Sequence, residues 1–370
     1  MSEANLMPFP ETKIVFDPTS SQLEVTAPWL SLRFKVTDEN SSRVANSVAA
    51  LNASEKNQSE INWLLGHFST FPLVNPEPRA AMSASISQQT LGTAFNLIAA
   101  SSAHELQRTI SPKLEPLIPD FRWDAEQILN ASKIADDQYD PNTVYAQCRR
   151  FRLRAEKSET ANVNWYQLME ELLVRNEEEF FRIAKLSIRQ THYITLNCVP
   201  SLSPALQSFH EGAGEVTAFI AEERGHDQLV LRSLRALGVM TPDEIELLDE
   251  TKLSIELLRF AAEVCPLGFC CLVGIFEGTT YSAKDPLAIL LEKSSKPKAA
   301  NGIQTHFMIN REHNHSNVGG EMADKLGFVT RDHALAAIRL SELTVEVGNL
   351  LSQKLVSKVS KALGTQDVAG

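Results

Sequence analysis

The chain has 370 residues, 43% of them hydrophobic and 22% charged, the balance of a globular protein able to bury a sizeable core. Its formal net charge of −11 offers no basic footprint, which argues against nucleic acid and against an anionic membrane surface as partners. No stretch reaches the roughly 18 to 20 uninterrupted apolar residues of a membrane helix. The first residues lack the basic start and apolar run of a secretory signal, so the cytoplasm is the expected compartment. The five cysteines, Cys148, Cys198, Cys265, Cys270 and Cys271, are odd in number and include an adjacent pair in an apolar segment. That suits buried reduced thiols better than a disulfide framework.

Residues 1–80 read as a small mixed α/β unit. Short strands are expected over 13–16, 23–25 and 29–36, punctuated by Asp17-Pro18 and Ala27-Pro28. Helical spacing follows over 40–52 (Val44, Val48, Leu51) and again over 61–68, with Trp29, Trp63 and Phe68 as core residues. The proline-rich stretch 71–79 reads as a linker. Residues 81–160 form a helical extension, with helices expected over 83–106, 123–135 and 141–154 and an interruption at Pro112, Pro116 and Pro119.

Residues 161–365 are helical in pattern almost throughout. Helices are expected over 165–199, 204–237, 241–264, 266–281, 300–326 and from Thr330-Arg331-Asp332 onward, where Ala336, Leu340, Leu343, Val347 and Leu350 repeat at steps of four and three. Long helices joined by short turns imply a bundle, so the chain is expected to be mainly α.

Three constellations within this bundle carry chemistry. In AEERGHDQLVLRSLRALG, Glu223 and His226 sit about 60° apart on a helical face, with Glu222 and Glu215 about 40° and 20° from His226. A carboxylate and an imidazole at i and i+3 is the unit from which helical bundles build non-haem metal sites. In the nearly all-apolar CPLGFCCLVGIFEG, Glu277 stands at the end of a buried run and must be neutral, paired or bound to a cation. An arginine partner would also satisfy it. In THFMINREHNHS, His306, Asn310 and His313 lie within about 60° on one face, a geometry that suits first-row metals, while His315 is expected to point away to the surface.

The order and spacing of these motifs resemble the haem-oxygenase-like di-iron oxidases of the TenA-like superfamily, over roughly residues 160–365. The resemblance implies a haem-oxygenase-like helical bundle, with residues 1–80 as a mixed α/β N-terminal extension. It also implies two Fe(II) ions, O₂ as co-substrate, and oxidation of a small, amino-acid-derived metabolite by N-oxygenation or oxidative C–C cleavage. Carried over by position, Glu223 and His226 bind one iron, Glu277 bridges or binds, and His306 and His313 complete the set. Asn310 stands where the family has a carboxylate. His192 is the candidate in the preceding helix, and Glu215 is a further carboxylate near the site. Tyr281, one turn after Glu277, is a candidate donor beside the reacting centre. Two other readings stay open: a metal-free thiaminase-like hydrolase, in which Cys265, Cys270 or Cys271 would face the same cavity as Glu277, and a non-catalytic member with a decayed site. A homodimer is compatible with either class.

Overall fold

The computed structural model describes residues 13–27, 30–52, 59–60, 63–64, 73–78, 125–157, 165–277 and 283–364. It is mainly helical, with a small antiparallel sheet near the N-terminus. The helix expected over 83–106 lies outside these residues, as do Tyr281, Trp29, Phe68 and most of 61–68.

The N-terminal sheet follows from alternation. Strands β1 (Lys13–Asp17), β2 (Gln22–Ala27) and β3 (Leu30–Lys35) pair antiparallel in sequence order, with Leu23 opposite both Phe16 and Phe34. Ile14, Leu23 and Phe34 are buried in a cluster with Val44 and Val48 of α1 (Asp38–Asn52). The stretch expected to be a linker instead supplies β4 (Leu73–Pro78), an edge strand with Pro76 and Pro78 opposite Leu32 and Leu30. Proline has no N–H to donate, so it excludes a central strand but not an edge.

Next come α2 (Ala125–Ser132), a hairpin of β5 (Lys133–Ala135) and β6 (Gln138–Tyr139), and α3 (Pro141–Lys157). Tyr139 exchanges both backbone hydrogen bonds with Val329, tying this hairpin to the chain ahead of the last helix. The first long helix expected in the bundle divides in two: α4 (Trp165–Arg175) ends before Asn176, whose side chain accepts from the Glu179 N–H and opens α5 (Glu177–Leu202).

The helix expected over 204–237 is broken twice, into α6 (Ala205–Ser208), α7 (Ala213–Glu223) and α8 (His226–Ala236). The second break is made by extended Arg224 and by Gly225 at φ 89°, a conformation only glycine adopts without strain. A 3-10 turn (Pro242–Glu244) precedes α9 (Asp249–Val264), then come α10 (Pro266–Glu277) and α11 (Pro286–Lys293). The helix expected over 300–326 also breaks, into α12 (Ala300–Glu312) and α13 (His315–Ala323), at Asn314 with φ 55°. The final helix, α14 (Arg331–Leu363), opens on Thr330, which accepts from the His333 N–H, and closes on left-handed Gly364.

Helix α10 is buried on every side from Leu267 to Ile275, as its all-apolar sequence demands, and packs against α3, α9, α13 and α14. Its approach to α13 is backbone against backbone: a Cβ on Gly319 would lie 2.5 Å from the Cys270 carbonyl oxygen. Helices α8 and α12 meet as closely, since a Cβ on Gly302 would fall 2.1 Å from the Leu229 carbonyl, and Ser233 Oγ accepts from the Ile303 N–H at 3.0 Å. These two seams fix where the ends of α8, α10, α12 and α13 lie. No helix among the described residues is long and apolar enough to cross a membrane.

Candidate metal centre

The breaks in the helices assemble the site. Glu223 is the last residue of α7 and His226 the first of α8. Glu277 is the last of α10, Asn310 lies near the end of α12, and His315 is the first residue of α13. Ligand-type side chains from five helix ends therefore face one another.

His315 is the centre of the arrangement, and its side chain is 0% exposed, contrary to the surface position expected from an unbroken helix. Its Nδ1 lies 3.3 Å from Glu223 Oε1 and 3.4 Å from Glu277 Oε2, without hydrogen-bond geometry to either. Its Nε2 lies 3.1 Å from Glu222 Oε2. An ionised carboxylate only accepts, so the proton of that contact sits on Nε2. Donor atoms of Glu223, Glu277 and His315 all lie within 4.8 Å of one another, as do those of Glu222, His313 and His315.

The remaining histidines surround this core. His226 Nδ1 is 3.2 Å from Glu223 Oε2 but misaligned for a hydrogen bond. The His226 ring stands 5.1 Å from that of His306 and 6.1 Å from that of His315, centroid to centroid. His313 sits at the rim with its side chain 47% exposed, and its Nδ1 is 3.5 Å from Glu222 Oε1. Asn310 Nδ2 donates to Glu277 Oε2 at 3.3 Å, while its Oδ1 is buried without a hydrogen-bond partner. Asn310 thus touches the site through Glu277.

Two expected members fall outside the group. Glu215 pairs with Lys325 at 2.9 Å, which occupies its carboxylate at the surface. His192 is buried, but its Nδ1 lies 3.3 Å from the Arg189 guanidinium, itself paired with Asp243 at 2.7 Å. Burial first, then that neighbouring cation, lowers the His192 pKa, and a guanidinium beside a ring nitrogen opposes a metal ion there. Glu222, noted in the sequence only by its angle, proves to contact two histidines.

The electrostatics match a buried demand for positive charge. Burial opposes ionisation of Glu223, yet the imidazoles of His226, His315 and His306 together outweigh it and hold its pKa below the ordinary carboxylate value. Burial raises Glu277, with the Glu223 charge adding to the rise against His315 and His226. Burial likewise works against a charged His315, but Glu277, Glu223 and Glu222 prevail and raise its pKa. His306 is pushed down to about 4, chiefly by burial and then by His226. The carboxylates require a positive partner, which a proton on His315 or a cation supplies equally well.

The donor set passes the test for a metal. Buried Glu223 Oε1, His226 Nδ1 and His315 Nδ1 have no hydrogen-bond partner, although buried polar atoms nearly always find one. Carboxylate oxygens with imidazole nitrogens suit first-row divalent ions. These buried Glu and His clusters could hold a metal ion.

An apolar cavity of about 20 Å³ abuts Glu277, lined also by Ile194, Cys198, Phe219, Ile255 and Val273. Cys265, Cys270 and Cys271 are buried but do not line it. Burial pushes Cys265 up to about 12 and Cys270 well above its ordinary value; a hydrogen bond with Cys148 and burial do the same to Cys271. Comparison with family models, curated proteins and solved structures finds no match for this chain.

Proposed function

We propose that this chain is a non-haem iron oxidase of the haem-oxygenase-like class, acting with O₂ on a small, amino-acid-derived metabolite. The observation that carries the reading is the convergence of Glu223, Glu277 and His315 at one buried point, where Glu223 Oε1 and His315 Nδ1 have no hydrogen-bond partner. The order of the motifs, Glu-x-x-His, then a glutamate after an apolar helix, then a histidine-rich helix, supports iron in particular. In such a centre the ion supplies the one-electron and O₂ chemistry.

The protein's own residues have separate tasks. Glu223, Glu277 and His315 would hold the ion, with His226 and His306 beside them as further nitrogen donors. Burial raises the pKa of Glu277, and its carboxylate neighbours raise that of His315 against burial, so an ion there would compete with protons for both groups. Asn310 Nδ2 orients Glu277 through the 3.3 Å contact. The apolar walls of Ile194, Phe219, Ile255 and Val273 exclude water beside Glu277 and favour a small, weakly polar reactant there.

A cysteine hydrolase on the same scaffold has weaker support. Cys198 is the cysteine at the cavity, and burial first, then the charges of Glu223 and Glu277, raise its pKa well above the ordinary value. That suppresses the thiolate a nucleophile needs.

The test is anaerobic titration with Fe(II), followed by O₂ and optical and oxygen-electrode recording. Stoichiometric uptake, a transient visible band and O₂ consumption are expected, with iron content lost in Glu223→Gln and in His226→Ala. Failure to take up iron, or iron content unchanged in both variants, would overturn the assignment.

A further inference from the structure

We infer that Glu222, His313 and His315 form a second, solvent-facing position for a divalent cation, which shares the His315 imidazole with the inner group. The inference rests on the metal reading above and goes beyond it in naming the second position and its bridge. It departs from the ligand set that the sequence pattern implies, in which His306 and His313 serve together.

The geometry comes from a single backbone feature. On an unbroken helix, residues two apart point about 200° from each other, so His313 and His315 would face opposite sides. Asn314 at φ 55° turns the chain between them, a conformation asparagine tolerates better than most residues. As a result Glu222 lies between both rings, with Oε2 3.1 Å from His315 Nε2 and Oε1 3.5 Å from His313 Nδ1. The two ring centroids are 6.0 Å apart. No lysine or arginine pairs with Glu222 among the described residues.

Two imidazoles and one carboxylate form a set that first-row divalent ions accept, with open positions left for water. Exposure rises outward in order: His315 is enclosed, the Glu222 side chain is 33% exposed and that of His313 47%. An ion can therefore enter the outer position from solvent without opening the core. The fully buried ring, by contrast, can face a cation on each edge: Nδ1 toward Glu223 and Glu277, Nε2 toward Glu222. Binding of the outer ion releases the Nε2 proton to solvent and leaves the ring bonded through both nitrogens.

Calorimetric titration of the chelator-treated full chain with Zn(II), with metal analysis after desalting, should give two equivalents in the native sequence. His313→Ala and Glu222→Gln should each weaken one equivalent by at least tenfold and leave the other. Both variants change side chains open to solvent, so a retained inner equivalent also reports an intact fold. A single equivalent in the native sequence, or two undiminished equivalents in His313→Ala, overturns the outer position. Sharing is read separately by loading two equivalents of Cu(II). A resonance intensity well below that of two isolated ions supports the imidazole bridge, and full intensity overturns it. The outcomes separate the two readings: no uptake at all refutes the metal centre itself, whereas two bound ions with no O₂ consumption after Fe(II) loading refutes only the oxidase assignment.

Discussion

Gly319→Ala probes the seam that sets His315 against Glu277. The added Cβ would lie 2.5 Å from the Cys270 carbonyl oxygen and 2.8 Å from the Gly274 nitrogen, both backbone atoms that cannot rotate aside. Reaching the 3.4 Å of ordinary contact requires α13 and α10 to separate by about 0.9 Å. Overpacking of this kind destabilises by about 1–3 kcal/mol, and a backbone clash belongs at the upper end. A loss of about 3 kcal/mol should lower Tm by several degrees, measurable by scanning calorimetry or denaturant titration. Because His315 opens α13 and Glu277 closes α10, the same displacement should weaken metal binding by about 10- to 100-fold, the range for disturbed support of a ligand. Gly320→Ala is the control: its Cβ would come only to 3.2 Å of the Tyr145 ring, about 0.2 Å inside ordinary contact and against no backbone atom, and a loss below about 1 kcal/mol is expected. Equal midpoints and equal affinities for Gly319→Ala and the native chain would refute the close approach of the two helices.

Acid sensitivity should carry the mark of His306. Its folded pKa of about 4 lies below the unfolded 6.5, so the unfolded chain binds the proton more readily and stability is lost as pH falls from 6.5 to 4. The full difference is about 3 kcal/mol. Metal-free native protein should therefore lose that much more than His306→Gln over this range in denaturant titrations, and parallel curves would refute the burial of a neutral ring. Asn310→Asp places a carboxylate where Nδ2 now donates to Glu277. The metal-free variant should be less stable at neutral pH by about 1–3 kcal/mol through the lost donor and like-charge contact, yet bind metal more tightly; weaker binding would show that residue 310 faces away from the ion. Gly348→Ala, in the interior of α14 with nothing within 4 Å of the new Cβ, should stabilise by about 0.5–1 kcal/mol. A lower denaturation midpoint would contradict that open environment.

Much of the fold was legible because burial imposes periodicity. Short stretches set off by Asp17-Pro18 and Ala27-Pro28 marked the first three strands, and the apolar run of 266–277 marked a helix enclosed on all sides. What periodicity does not register is one residue in a left-handed conformation. Gly225 and Asn314 each interrupt an otherwise continuous helical pattern, and angles counted across them are wrong. The error placed His315 at the surface, whereas the structure encloses it, and gave His313 an inner position when it sits at the rim. The signals were present as a glycine in Arg224-Gly225-His226 and an asparagine between two histidines, the residue types that stop helices. Glu223, His226, Glu277, His306 and Asn310 were singled out by type and spacing, and the structure gathers them. Glu215 was misplaced because an angle about the axis says nothing of the distance along it, and Lys325 holds it there.

The positions of Glu223 and Glu277 at the ends of α7 and α10 have one more consequence. A helix carries about half a negative charge at its C-terminal end, where lysine, arginine or histidine is normally favoured. Neither α7 nor α10 has a basic residue in its last turn; each finishes on a glutamate. Against these stand the N-terminal ends of α8 and α13, which open on His226 and His315 and carry about half a positive charge each. Opposed helix ends offset one another, so the sign of the potential in this enclosed space is set by the protonation of its carboxylates and imidazoles rather than by the backbone.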